Sequence, residues 1–247
     1  MSDRSDASFP NTRLSVLRAA GSADPEVRRA ALDVLAAVYW RPVYARYRIK
    51  WRADAADAED LAQEFFTRAV GDGLFEDYDP ARAKFRTYLR TCADRFAANA
   101  RRDQRRLKRG GETRVVSLDA AGMEQELERA GAFREDADPD AWFEREWVRG
   151  LFADAVERLR AETAGTPRQI RFELLRQYDL APEREADRPS YRTLAAEFDL
   201  PVTLVTNHLA CARRELRRLL LERVRSLSGS DAEYRDEVAA VLGTGGP

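Results

Sequence analysis

Residues 190–220 read SYRTLAAEFDLPVTLVTNHLACARRELRRLL, and this stretch decides the fold class. Leu194 and Phe198 lie one helical turn apart before a short break at DLPV. After the break, apolar residues recur with the spacing of one helix face, at Val205, Leu209, Ala212, Leu216 and Leu219. The pattern predicts a short helix, a tight turn and a long helix with one buried face.

The opposite face of the second helix is polar and then basic. Its exposed stripe is predicted to consist of Thr206, Ala210, Arg213 and Arg217. Two helices with a tight turn are typical of a DNA-binding helix-turn-helix, in which small polar residues approach base edges and arginines hold phosphates. An ordinary helical hairpin with a solvated arginine face is the alternative.

The composition agrees with a helical protein. The chain has 247 residues, of which 34% are charged and 44% hydrophobic, with only 13 glycines and 10 prolines. Alternating apolar and polar runs are scarce, so we predict an all-α fold with two small helical domains joined by an acidic linker. The predicted segments are an N-terminal domain (1–109), the linker (110–140), a C-terminal domain with the helix-turn-helix (141–225) and a C-terminal extension (226–247). The extension DAEYRDEVAAVL is expected to add one short helix.

The net charge of −1 hides a strong local asymmetry. Residues 84–109 contain ten Lys/Arg against two Asp, whereas residues 119–146 contain ten Asp/Glu against three Arg. This asymmetry indicates two charged partners, or one partner with two faces. The acidic linker could equally be a solvated tether.

A concentrated acidic helix precedes the basic segment. Residues 53–73, ADAADAEDLAQEFFTRAVGDG, place five carboxylates ahead of two phenylalanines. Asp57 and Asp60 resemble a capping box with shortened side chains, and acidic residues favour a helix start. A solvated, self-capped helix start is the alternative explanation. No metal is expected there, because no histidine or cysteine lies nearby and the carboxylates diverge around the helix.

Three motifs in this order resemble a known family. DAEDLAQEFFTRA, FRTYLRTCADRFAANARRDQRR and SYRTLAAEFDLPVTLVTNHLACARRELRRLL follow one another, with a linker before the last. The set, covering about residues 12–225, resembles bacterial RNA polymerase sigma factors of the extracytoplasmic-function type. The resemblance implies a cytoplasmic transcription initiation factor with no catalytic chemistry and no cofactor. Its implied partners are promoter DNA and core RNA polymerase, through the β′ clamp helices and the β flap, with an anti-sigma factor as a further candidate.

The resemblance also implies roles for individual residues. The acidic helix would contact core polymerase through Asp57, Glu59, Asp60, Gln63 and Glu64. The basic helix would recognise the −10 element and a flipped base through Lys84, Arg86, Thr87, Tyr88, Arg95, Asn99, Arg102 and Arg106. Phe85 and Phe96 are expected to be core residues. The helix-turn-helix would bind the −35 element through Arg192, Thr203, Leu204, Thr206, Asn207, His208, Arg213 and Arg214.

The sequence departs from the family pattern at two places. The recognition positions that are often Lys-Ser-Arg in the family read Thr206-Asn207-His208 here, which removes fixed positive charge. His208 is expected to be mostly neutral at physiological pH unless a phosphate raises its pKa. The turn position that is often glycine is Asp199, which can adopt left-handed backbone angles.

Two other functions compete with the sigma-factor interpretation. A stand-alone helix-turn-helix transcription regulator would use the same DNA-binding residues, but it has no use for the acidic helix. A helical nuclease or deaminase is disfavoured, because the chain has one histidine, two distant cysteines and no convergent acid/base set. Cys92 and Cys211 are expected to be small apolar residues rather than a disulfide. No apolar run reaches the length of a membrane span.

Overall fold

The computed structural model describes residues 15–71, 74–75, 77–104, 120–182 and 184–243. These ranges contain ten α-helices and no strand, which confirms the predicted all-α class. A π-helical turn, Arg176–Leu180, and a 3-10 turn, Glu185–Asp187, separate the seventh and eighth helices. The helices are α1 (Ser15–Ala20), α2 (Pro25–Ile49), α3 (Ala55–Gly71), α4 (Phe85–Gln104), α5 (Ala120–Arg129), α6 (Pro139–Thr163), α7 (Gln169–Leu175), α8 (Tyr191–Glu197), α9 (Val202–Leu227) and α10 (Asp231–Leu242).

The chain divides into two compact units. The first comprises Met1–Leu151 together with Val224–Pro247, and the second comprises Phe152–Arg223. The division between the units therefore falls inside α6 and inside α9, rather than at the sequence-based boundaries after residues 140 and 225. Part of the segment interpreted as a linker belongs to the first unit, because α5 buries Met123 and Leu127. The helix expected in the C-terminal extension is present as α10 and is also part of the first unit.

An aromatic cluster forms the centre of the first unit. Phe85, at the start of α4, is fully buried and meets the ring of Tyr39 from α2 at 5.5 Å between centroids. Tyr78 packs against the same ring at 5.2 Å. Phe96 lies further along α4, with its ring edge-on to Phe65 of α3 at 5.7 Å. The expectation that Phe85 is a core residue is confirmed, and Phe96 is only partly buried.

Helix α2 runs without a break through Pro42. A proline has no N–H, so the carbonyl of Val38, four residues earlier, loses its helical partner. The backbone of α6 occupies the space beside that carbonyl, at Gly150. A Cβ atom on Gly150 would lie closer than 3.0 Å to the Val38 oxygen. The backbone of α6 therefore approaches α2 closely at this carbonyl, and only glycine at position 150 leaves room for that approach.

In the second unit, α7, α8 and α9 bury one apolar cluster. Its buried members are Leu174, Leu194, Ala195, Val205 and Leu209, and the periodicity had predicted Leu194, Val205 and Leu209 among them. Phe198, from the same pattern, is only partly buried. The turn between α8 and α9 passes through Asp199, whose φ is 50°. Asp199 therefore adopts the left-handed conformation that its side chain was expected to tolerate. Cys92 and Cys211 are both free thiols.

Replacing Gly150 with alanine tests the contact between α2 and α6. Helix propensity alone would stabilise the protein by about 1 kcal/mol. Because the new methyl group would overlap the Val38 carbonyl oxygen, we instead expect Gly150→Ala to lower the free energy of unfolding by about 2–3 kcal/mol. Urea denaturation followed by circular dichroism gives the sign, and a stabilised variant would contradict the close contact.

Candidate nucleic-acid and protein interfaces

Helix α3 presents an acidic face. Asp57, Asp60 and Glu64 are exposed and share one side of the helix, whereas Glu59 and Gln63 border that side and are half-buried. Phe65 and Ala69 are buried on the other side. Glu64 forms an ion pair with Arg68 at 2.6 Å, and exposed pairs of this kind contribute little to stability. The acidic face is therefore accessible to a partner.

The start of α3 differs from the predicted capping box. The carboxylate of Asp54 accepts a hydrogen bond from the backbone N–H of Asp57 at 2.8 Å. The capping residue is thus Asp54, just before the first helical residue Ala55, and Asp57 lies within the helix. The capping box was wrong because Asp54 and Asp57 have the same spacing as Asp57 and Asp60, and the sequence does not distinguish the two pairs. Asp57 is consequently free to face solvent.

Helix α4 carries a polar stripe along its exposed side. Arg95, Asn99 and Arg102 recur at the spacing of one helix face and are all exposed. Asp94, next to Arg95, points the other way and contacts α2. Arg106, the last predicted residue of the stripe, lies outside the described residues. We use the name basic stripe below for Arg95, Asn99 and Arg102.

The candidates at the start of α4 are engaged within the protein. Lys84 Nζ lies 3.0 Å from a carboxylate oxygen of Asp236 in α10. Arg86 pairs with Glu144 of α6, and its Nε lies 3.1 Å from Glu237 Oε1. The guanidinium of Arg86 also sits 4.6 Å above the ring centroid of Trp147. Lys84 and Arg86 therefore differ from the basic stripe, because acidic side chains already occupy their donors.

The two uncharged candidates that follow Arg86, Thr87 and Tyr88, make contacts within the protein. Tyr88 donates a hydrogen bond from its hydroxyl to the Leu74 carbonyl at 2.8 Å. Burial raises the pKa of Tyr88, and the neighbouring Cys92 adds to the effect. Thr87 is half-buried, and its carbonyl accepts a hydrogen bond from the Thr91 hydroxyl at 3.0 Å. The structure thus places Tyr88 in the scaffold that holds the loop before α4.

Helix α4 is capped by a residue far away in the sequence. The carboxylate of Glu233 in α10 accepts a hydrogen bond from the backbone N–H of Phe85 at 2.9 Å. Its other oxygen accepts one from the Gly229 N–H at 2.6 Å. The first N–H groups of a helix have no partner within the helix, so Glu233 satisfies one of them and places negative charge at the positive end of the dipole.

Asp94 joins α4 to the end of α2. Both of its oxygens accept hydrogen bonds from Arg46, at 2.8 and 2.7 Å. Lys50 Nζ and Trp51 Nε1 donate to the same carboxylate at 2.7 and 2.9 Å. Burial opposes ionisation of Asp94, but the hydrogen bonds from these three residues outweigh it and lower its pKa to about 2. The buried Arg46 guanidinium also donates a hydrogen bond from Nη1 to a carboxylate oxygen of Asp140 at 2.7 Å.

In the second unit, most of the predicted DNA-contacting residues share an exposed surface. These are Arg192 of α8 and Thr203, Leu204, Thr206, Asn207 and Arg214 of α9. Arg213 is exposed as well, but it is held by Asp179 through two hydrogen bonds at 2.8 and 3.0 Å. Asp179 belongs to the π-helical turn after α7. Arg213 therefore ties α9 to that turn, which leaves Arg214 better placed than Arg213 for an outside partner.

His208 differs from the other candidates because it is half-buried. Burial and the nearby Arg171 both lower its pKa from the usual 6.5. The imidazole is therefore neutral at neutral pH, in agreement with the sequence-based expectation. The end of α9 that would approach a base pair carries no fixed positive charge at Thr206, Asn207 or His208.

Two features were absent from the predicted site residues. Arg217 is exposed and continues the face of α9 that carries Thr206 and Ala210, and its spacing of seven residues from Ala210 was already visible in the sequence. Arg101 lies 5.1 Å above the ring centroid of Trp51 and donates to the Trp51 carbonyl. Periodicity could not indicate the pair of Arg101 and Trp51, because the two residues lie on different elements.

The described parts of the chain show neither a metal site nor a membrane span. Among these residues no three His, Cys, Asp or Glu side chains are grouped to hold a metal ion. No helix in the described ranges is long and apolar enough to cross a membrane.

Comparison with known proteins gives one match. Residues 38–107 match the family described as sigma-70 region 2. The matched segment contains the end of α2 and all of α3 and α4, and therefore both the acidic face and the basic stripe. The match shows that this segment is similar to region 2 of the sigma-70 family. No curated protein and no solved structure matches the chain.

Asp94→Asn tests the junction that positions α4. The carboxylate ionises in the folded protein with a pKa of about 2, below the value of about 3.9 in an unfolded chain. Its contribution to stability is therefore present above about pH 4 and lost as the pH falls toward 2. We expect Asp94→Asn to lower the free energy of unfolding by about 2 kcal/mol at pH 7.

The difference between wild type and variant should shrink between about pH 4 and pH 2, because the wild-type carboxyl becomes protonated there. Urea unfolding across this range measures it. Asp33→Asn, an exposed position on α2, is the matched control and should change little. A difference in unfolding free energy that stays constant with pH would show that Asp94 stabilises the fold through packing and not through its negative charge.

Proposed function

We propose that this protein is a dissociable RNA polymerase sigma factor of the extracytoplasmic-function type. It binds core RNA polymerase, directs it to specific promoters and assists melting of the DNA. The role involves no catalytic step by the protein itself, and it places the protein in the bacterial cytoplasm, where polymerase and promoters are. The observation that carries the proposal is the pairing of an acidic face on α3 with a basic stripe on α4 inside residues 38–107, the segment that matches sigma-70 region 2.

The acidic face suits a protein partner rather than DNA. Its exposed carboxylates, Asp57, Asp60 and Glu64, would repel a phosphate backbone, whereas charge complementarity steers association with a basic protein surface. In the proposal this face, bordered by Glu59 and Gln63, contacts the β′ clamp helices of core polymerase. The β flap is the proposed partner of the second unit.

The basic stripe suits an opened DNA strand. Arg95 and Arg102 can neutralise backbone phosphates, and Asn99 between them offers both a donor and acceptor for a base edge. Arg101, stacked on Trp51 nearby, adds a third exposed guanidinium. This arrangement supports a role for α4 at the −10 element, with the phosphate contacts supplying affinity and the polar groups supplying selectivity.

The second unit is the proposed reader of the −35 element. Two helices with a tight turn at Asp199, followed by exposed Arg214 and Arg217, fit a helix-turn-helix in the major groove. Thr206 and Asn207 would meet base edges, and the arginines further along would hold phosphates. A stand-alone DNA-binding regulator would use the same surface, but it would leave the acidic face of α3 without a purpose.

Transcription with purified core RNA polymerase tests the proposal. We expect the protein to produce transcripts with defined start sites from fragments of its own genome, because a sigma factor supplies the promoter selectivity that core polymerase lacks. Core polymerase alone is the control. DNA binding without any complex with core polymerase would contradict the sigma role and support the stand-alone regulator.

Two double variants separate the two proposed faces. Asp60→Arg with Glu64→Arg should abolish core binding and leave DNA binding intact, because it reverses the charge of the acidic face. Arg95→Ala with Arg102→Ala should keep core binding and reduce promoter opening at least about tenfold, because it removes two phosphate contacts. Native gel shift with core polymerase and permanganate footprinting of the promoter measure the two effects.

The matched controls are single changes at exposed positions off both faces, Glu128→Arg on α5 and Arg134→Ala after it. Both should behave like wild type. Loss of core binding in the arginine-to-alanine variant would show that α4 rather than α3 contacts polymerase.

A further inference from the structure

We propose that α10 is an acidic plug that competes with promoter DNA for the start of α4, so that DNA binding on the −10 side requires α10 to leave. The inference rests on the proposed sigma-factor role of α4 and adds a regulation of that site. It concerns three acidic residues of α10, Glu233, Asp236 and Glu237, which we call the plug residues.

The plug residues take the donors that a nucleic-acid phosphate would take. Glu233 occupies the backbone N–H of Phe85 at 2.9 Å, Asp236 occupies Lys84 Nζ at 3.0 Å, and Glu237 lies 3.1 Å from Arg86 Nε. A helix N-terminus flanked by a lysine and an arginine is a good anion site. Carboxylates of the same chain thus stand where phosphate oxygens would bind.

The contact also blocks access. The side chain of Arg86 is only 14% exposed and that of Lys84 only 33% exposed, whereas Arg95, Asn99 and Arg102 on the same helix are exposed residues. The two groups of candidates therefore cannot contact one strand together while α10 is in place. Glu144 of α6 closes the remaining side of Arg86.

The seat of α10 is specific. Ser230 caps α10 by accepting a hydrogen bond from the Glu233 N–H at 3.1 Å. A Cβ atom on Gly229, just before the helix, would lie closer than 3.0 Å to Pro80 in the loop before α4. The turn into α10 therefore packs against that loop so closely that only glycine is accommodated at position 229.

The same contact is poorly satisfied at its centre, which favours release. Both carboxylate oxygens of Glu237 are buried and, within the described part of the chain, make no hydrogen bond of good geometry. Nε1 of Trp147 is likewise buried without a hydrogen-bond acceptor in the described part of the chain. Burial raises the pKa of Glu237, and Arg86 and Lys84 only partly oppose this. Glu237 is therefore held by charge without a well-aligned hydrogen bond, and buried polar groups whose hydrogen bonds are not made destabilise the closed arrangement relative to one in which they meet water.

The outer part of the contact is weak as well. The side chain of Asp236 is 62% exposed, and ion pairs in such positions are screened by solvent and salt. A DNA strand with several phosphates can replace it, because the strand gains contacts with Lys84, Arg86 and the basic stripe together. The chemistry therefore fits exchange of one anion for another.

The test uses the full-length protein with Asp236→Asn and Glu237→Gln combined. These changes remove two plug charges and keep side-chain shape. We expect the double variant to bind a fluorescein-labelled single-stranded oligodeoxynucleotide about three- to tenfold more tightly than wild type at low salt. The matched control is Asp231→Asn, which removes a charge of the same helix that pairs with Arg225. It should bind like wild type.

Hydrogen exchange supplies a second readout that general electrostatics would not change. On adding the oligonucleotide to wild type, the amides of α10 should lose protection, because the plug leaves. Unchanged protection of α10 at saturating DNA would overturn the proposal, and so would equal affinities of wild type, the control and the double variant.

Core-dependent transcription by the same variants separates this inference from the proposed function. Active wild type with no gain in the double variant, in either assay, would reject the plug and leave the sigma role. Tighter strand binding and loss of α10 protection, with no transcription from any variant, would reject the sigma role and leave competition between α10 and an anionic strand.

Discussion

The first unit depends on Asp94, the carboxylate through which α4 is fixed to the end of α2. It is one of two acidic residues in a segment with ten basic ones, and it is turned inward. Arg46, Lys50 and Trp51 all donate to it, so one side chain sets the position of α4 and of the turn before α3. Because α4 is rotated with Asp94 inward, Arg95, Asn99 and Arg102 must face outward. The basic stripe is thus a consequence of a buried ion pair.

The arginines of this chain serve two separate purposes. Those on α2, such as Arg41, Arg46 and Arg48, are paired with acidic residues of the helices packed around them. Those on the outer faces of α4 and α9, such as Arg102 and Arg217, are exposed. Basic and acidic residues are almost equal in number, 42 against 43, yet the surfaces remain strongly charged. The near-zero net charge of the whole chain therefore does not reflect the local charge of the surfaces that a partner would meet.

The sequence predicted which side of each helix is buried, but not which element covers it. The spacing of Val205, Leu209 and Ala212 was sufficient for α9, because periodicity records one face at a time. It could not show that Gly150 of α6 lies close to the Val38 carbonyl of α2, since that contact joins residues more than a hundred positions apart. For the same reason Arg86 was predicted as an exposed DNA contact, whereas α6 and α10 enclose it. The predicted exposure is found where the helix face is uncovered, and it is lost where acidic side chains from distant segments pair with the basic residues.

Under the proposed function, both DNA-binding surfaces are weak by construction. The first has two of its basic residues occupied by acidic partners, and the second reads bases with Thr206, Asn207 and a neutral His208. Either surface alone would bind promoter DNA poorly. When core polymerase holds both units near one promoter, the second contact becomes intramolecular, and modest affinities combine into a stable complex. Weak individual surfaces then have a use, because the free protein binds DNA only weakly and stable promoter binding requires polymerase.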